Sequence, residues 1–170
     1  MAHQLGRLLE TGEVGDVTFV AHRHLLAARS PVFMAQLFGP MMENGAKCIQ
    51  IDDMEAKVFK MMLHFVYTDT LPNIDEGEIT EMAQHLFVAA DRYNLERLKL
   101  ICANMLCNYM DVGTVATTLA LAEQHDCDKL KEVCYRFLTS FRNLKAVTLT
   151  DGFKHLKIIR PNILEELLGR

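Results

Sequence analysis

The chain has 170 residues, half of them hydrophobic, with a formal net charge of -4. That length supports one well-buried domain, or a domain with a helical extension, and not two large ones. Lysine and arginine are scattered among acids, so a phosphate-neutralising surface for nucleic acid is not expected.

Five cysteines, an odd number without a secretion leader, predict free thiols in a reducing compartment rather than a disulfide framework. No uncharged apolar run reaches the roughly 20 residues needed to span a bilayer, so the expectation is an intracellular protein, in nucleus or cytoplasm, with no membrane partner.

In chain order, Gln4 to Glu10 reads as a short amphipathic segment carrying Leu5, Leu8 and Leu9. Helices below about 12 residues are marginal alone in water, so these leucines need another surface, this chain's or a second copy's. Val17, Phe19 and Val20 suit a half-buried strand, and two helical segments follow, joined at Ser30-Pro31. A serine oxygen can cap free amides there, and proline loses nothing at the first helical position. Gly39-Pro40 ends the second segment, and Met41 to Gly45 forms a loop before a second short strand, Lys47 to Ile51.

Glu55 to Tyr67 is predicted helical, with Val58, Met61, Met62, Phe65 and Val66 on one stripe. Most of the methionines of the first half, Met34 among them, are expected to fill the core; Met41 and Met42 are either tucked under or open to a partner. From Glu78 onward only helices are expected. Ile79, Met82, Ala83, Leu86, Phe87 and Ala90 form one stripe, and Leu95, Leu98, Ile101, Cys102 and Met105 the next, with the break at Asn94.

Val112 to Gln124 and Asp128 to Thr139 repeat that arrangement. Ala90 to Cys102, ADRYNLERLKLIC, lies in register over Ala122 to Cys134, AEQHDCDKLKEVC, at an offset of 32 residues. Two successive helical hairpins follow from this, not a solenoid, which needs at least three units. The tail carries Leu144, Val147 and Leu149, then Asp151-Gly152, then Phe153, Leu156, Ile158 and Ile159, and Pro161 starts a last short helix, Asn162 to Leu168.

No catalytic constellation is present in this pattern. Gly12 and Gly15 precede a strand instead of joining one to a helix, and Ser30 lacks the glycine-flanked turn of a nucleophile. Cys102 and Cys107 are five apart and Cys127 and Cys134 seven apart, wider than zinc pairs; Cys102 and Cys134 share one repeat position, as a core residue would. Neither a metal nor another cofactor is expected. His22 and His24 flank Arg23 and point apart, which favours a structural, hydrogen-bonded His22. Asp16 and Arg23, at the two ends of the first strand, read as a charge pair that is structural before it is ligand-contacting.

AHRHLLAARSPVFMAQLFGPMMEN, IDDMEAKVFKMMLHFVYTD and HLFVAADRYNLERLKLIC occur in that order, and together they resemble the BTB/POZ domain. The likeness is to the plant MATH-BTB proteins, relatives of the speckle-type POZ protein that serve as substrate adaptors of cullin-3 ubiquitin ligases. It implies an α+β, mostly helical fold with a small sheet flanked by helical hairpins, a BTB/POZ domain over 1–109 and a BACK or three-box extension over 110–170. Against the family pattern, a hairpin's worth of chain is missing between Val20 and Ala21, and no MATH domain precedes the motif.

The resemblance further implies a binding module and not an enzyme: a homodimer through Leu5, Leu8 and Leu25, with cullin-3 held by Met41 and Glu43 and by a groove around Phe65 and Tyr67. A substrate protein would be reached only through the missing domain. Family members of another class use the dimer as an oligomerisation or transcriptional corepressor scaffold without cullin binding.

Overall fold

The computed structural model describes residues 18–39, 49–163 and 165. Described residues form α1 (Arg23–Arg29), α2 (Pro31–Phe38), α3 (Ala56–Thr68), a 3-10 turn at Glu76–Glu78, α4 (Ile79–Arg92), α5 (Glu96–Asn108), α6 (Val115–Gln124), α7 (Asp128–Thr139), α8 (Phe141–Val147) and α9 (Asp151–Ile159). The protein is therefore mostly helical. Among the described residues no strand is formed: Thr18–Val20 and Ile49–Ile51, the described parts of the two expected strands, take no regular secondary structure, and Asp16, Val17, Lys47 and Cys48 lie outside the described residues. Phe19 instead sets its ring 5.2 Å from Phe59 on α3.

The chain divides into two compact units. One runs to Pro72 and takes in Arg92–Leu95; the other holds Asn73–Asp91 and everything from Glu96. In the first unit α1 packs on α2 and on α3. Ser30 starts α2 as its sequence suggests, its hydroxyl oxygen accepting the Phe33 amide at 3.2 Å with Pro31 next in the chain. A cap of this kind is worth about 1 kcal/mol, and the buried Ser30 has a second use: its hydroxyl donates to the Tyr93 carbonyl at 2.6 Å. The predicted stripe of α3 is buried in full: Val58, Met61, Met62, Phe65 and Val66. Met34, by contrast, is 48% exposed, because position i+3 from Pro31 faces away from the side of α2 that buries Phe33 and Leu37.

The 32-residue repeat lies in the second unit except for Arg92–Leu95, which belongs to the first. Its two hairpins place equivalent residues in equivalent settings: Ala90 and Ala122, Leu98 and Leu130, Cys102 and Cys134, and Leu106 and Leu138 are all fully buried. Asn94 and Asp126, 32 residues apart, both close their hairpins in the left-handed region, at φ 51° and 49°. Short polar side chains tolerate that conformation better than other L residues.

One boundary differs from the sequence reading: α6 begins at Val115 and not Val112, after a turn in which Asp111 and Thr114 bond reciprocally, the Thr114 amide to Asp111 Oδ1 at 2.8 Å and the Asp111 amide to Thr114 Oγ1 at 3.1 Å. Asp151-Gly152 forms the first turn of α9, since the Thr150 hydroxyl accepts the Phe153 amide at 3.2 Å. Ile163 is buried, and most of the helix expected after it lies outside the described residues.

Candidate interaction site

The first unit brings the two most distinctive motifs of the sequence together. α1 comes from AHRHLLAARS and the end of α3 from FVYTD, and they meet at both ends of α1. At its start the His22 backbone N–H donates to the Tyr67 hydroxyl oxygen at 2.7 Å, and His22 Nδ1 lies 2.9 Å from the same hydroxyl. No side chain within α1 caps its first turn, so the tyrosine supplies a tertiary partner at the N-cap residue. At its end Arg29 forms an ion pair with Asp69 at 2.5 Å and places its guanidinium 6.0 Å from the Phe65 ring. Asp69 terminates α3 in a left-handed conformation, φ 61°, which aims its carboxylate at Arg29.

The exposed Arg29–Asp69 pair contributes at most about 1 kcal/mol, so the clamp owes its order chiefly to the burial of Phe65, Val66 and Leu26 beside it. Phe65 is 2% exposed and belongs to this core, while Tyr67 is half-buried. Leu25 is half-buried on α1. Arg23 donates to the Leu37 carbonyl at 2.8 Å and sits 5.3 Å from the Phe38 ring, on which His24 stacks at 5.1 Å. Phe38 nevertheless remains 45% exposed, like Met34 one turn earlier. Leu5, Leu8, Asp16, Met41 and Glu43 lie outside the described residues.

Thus the structure joins Phe65 and Tyr67 to α1, and joins Arg23 to α2. Sequence reasoning missed His22, Arg29 and Asp69 as one clamp, although it did expect His22 to be hydrogen-bonded. The available signal was the pairing of opposite charges at the ends of two motifs, a weak one across 40 residues. Met34 and Phe38, four apart on one helix, are both exposed, although Met34 is among the methionines expected to fill the core.

In the second unit Asp91 receives Lys99 Nζ at 2.5 Å and His125 Nδ1 at 2.7 Å, and Lys99 also donates to the His125 carbonyl at 3.2 Å. Burial opposes the Asp91 charge, but the Lys99 and His125 hydrogen bonds outweigh it and hold the carboxyl below its ordinary range. A carboxylate only accepts, so Nδ1 carries the hydrogen, and the buried Nε2 has no partner among the described residues. Arg160 donates to Glu123 at 2.6 Å and Tyr135 to the other carboxylate oxygen at 3.1 Å, tying α9 to α6 and α7. Burial pushes the Cys102 and Cys134 thiols up to about 12, which makes them inert packing groups. Among the described residues no cluster of His, Cys, Asp or Glu is arranged to hold a metal, and no helix is long and apolar enough to cross a membrane.

A helical chain whose two most characteristic motifs clamp one another, followed by paired hairpins, fits an interaction domain. The sequence model of the BTB/POZ domain matches residues 11–110, and that of the BPM/SPOP BACK domain matches residues 114–168. The chain belongs to the BTB/POZ domain family. It is similar to BTB/POZ and MATH domain-containing protein 3 of Arabidopsis thaliana, 53% identical over 164 residues that cover 92% of this chain and 40% of that protein. It is also similar to proteins 4 and 6 of the same Arabidopsis series, 39% and 34% identical over 96% and 99% of this chain and 38% and 45% of theirs. The chain thus spans about two fifths of the length of the relatives it matches.

Proposed function

We propose that this chain is a homodimeric adaptor that binds cullin-3 within an E3 ubiquitin ligase, substrate choice falling to a MATH-type domain such as its relatives' names declare. The observation that carries this reading is the succession of a BTB/POZ match and a BPM/SPOP-type BACK match along one chain. In this reading Met41 supplies an apolar knob whose desolvation gives affinity, Glu43 fixes orientation, and the ring of Tyr67 borders the groove over a floor shaped by Phe65. Leu5, Leu8 and Leu25 form the dimer contact, which makes a second engagement intramolecular. Asp16 and Arg23 form a charged pocket beside it.

The BTB/POZ portion extends over 1–109 and the BACK-like portion over 110–170, a boundary that preferential proteolysis near Tyr109 would support and cleavage only elsewhere would contradict. The small sheet with a shortened first hairpin that the family resemblance implies would draw its strands from Asp16–Val20 and Lys47–Ile51. Slow hydrogen exchange at the Val17 to Val20 amides supports that, and full exchange within the dead time removes it.

The adaptor reading is tested by calorimetric titration with the cullin-3 amino-terminal region. The parent chain binds, and Met41→Asp and Glu43→Lys each weaken binding at least tenfold, the loss expected of a truncated hot spot of about 1.4 kcal/mol or more. A parent chain that does not bind, or variants that bind as it does, would exclude it.

A further inference from the structure

We infer that His22 is a positioning residue for Tyr67, acting through the tyrosine hydroxyl. This inference rests on the adaptor reading, in which the Tyr67 ring borders the cullin groove.

The hydroxyl oxygen accepts the His22 backbone N–H at 2.7 Å, and His22 Nδ1 stands 2.9 Å from the same oxygen. In the inferred pairing the phenol gives its own hydrogen to Nδ1, which keeps its lone pair while the imidazole hydrogen sits on Nε2. The two rings lie 5.8 Å apart and tilted by 59°, so they touch at the hydroxyl end rather than stacking. One residue thus grips the phenol through both its backbone and its side chain, while Tyr67 as a whole is only half-buried. Half-buried aromatic rings otherwise retain rotamer freedom that a partner must remove.

A ring already fixed at its far end spares that ordering cost on binding, an advantage of about threefold to tenfold in affinity for one side chain. His22→Leu and Tyr67→Phe each break the pair. They reach the same end by different atoms, so their effects on binding do not add. Asn places its Oδ1 where His places Nδ1, so His22→Asn restores the acceptor.

Two measurements on the full chain test this. The first is the nitrogen-15 shift of His22 in solution: in the parent Nδ1 reads as an unprotonated, hydrogen-bonded acceptor, and in Tyr67→Phe that signature is lost. A protonated Nδ1, or no change on removing the hydroxyl, overturns the pairing whatever the chain binds. The second is titration with the cullin-3 amino-terminal region. His22→Leu and Tyr67→Phe each bind about threefold to tenfold more weakly, the double variant no worse than either, and His22→Asn like the parent. Additive losses, or His22→Leu binding like the parent, overturn the positioning role while leaving the adaptor reading standing. A parent chain that does not bind overturns both, even if the nitrogen shift bears out the pair.

Discussion

The turns of the two hairpins, Tyr93-Asn94-Leu95 and His125-Asp126-Cys127, share a backbone and differ in chemistry. In both, the central residue is left-handed and the carbonyl of the ring-bearing residue accepts a hydrogen bond from a distant side chain: Ser30 at 2.6 Å in the first, Lys99 at 3.2 Å in the second. In both, the ring lies against a phenylalanine. Tyr93 stacks on Phe33 at 4.4 Å with 26° between planes, whereas His125 meets Phe87 edge-on at 5.7 Å and 89°. The imidazole brings Asp91 and Lys99 with it and leaves Nε2 without a partner among the described residues. A repeat can therefore keep its geometry while one junction rests on apolar stacking and the other on a polar network.

The largest test of that contrast is Tyr93→Ala. Removing a ring that is 3% exposed from a packed stack should cost about 3–5 kcal/mol by urea unfolding. His125→Ala should cost less, since Lys99 still pairs with Asp91 and the ring it removes meets Phe87 only edge-on; equal losses would mean the two junctions are energetically alike. Next, Cys102→Ser and Cys134→Ser place a hydroxyl at equivalent fully buried positions and should each lose about 1–3 kcal/mol. Widely different losses would break the equivalence of the hairpins.

The polar junction alone should respond to acid. The Asp91 carboxyl is held below its ordinary range in the folded chain, so the unfolded chain binds its proton at higher pH. Its contribution is present above the ordinary carboxylate range and is lost as pH falls through the depressed folded value. Asp91→Asn should flatten the acid limb of a urea-midpoint profile, and an unchanged limb would show that other carboxylates carry it. Smallest is the backbone effect: Asp126→Ala and Asn94→Ala should each cost about 1 kcal/mol, while glycine at either site costs little, because the left-handed conformation dominates and the Asp126 side chain, 3.6 Å from Lys131, is exposed.

Much of this architecture was legible in the sequence, for local reasons. The stripes of α3 and α4 follow from a 3.6-residue period, Ser30-Pro31 from capping chemistry, and the hairpin pair from the 32-residue register. The clamp of His22 on Tyr67 spans 45 residues, Arg29 on Asp69 spans 40, and His125 on Asp91 spans 34. No period encodes such pairs; they form only when separate helices pack. Met34 was misjudged because apolar character tells nothing about which side of a two-turn helix is covered. The candidate site was legible mainly through family motifs, and two of its four expected cullin-binding residues, Met41 and Glu43, lie outside the described residues.

The most direct test of the adaptor reading is sedimentation analysis of this chain mixed with the cullin-3 amino-terminal region. The account predicts a two-to-two complex that reverts to a one-to-one complex in the Leu5→Asp, Leu8→Asp double variant. A mixture in which the two proteins sediment separately would contradict it.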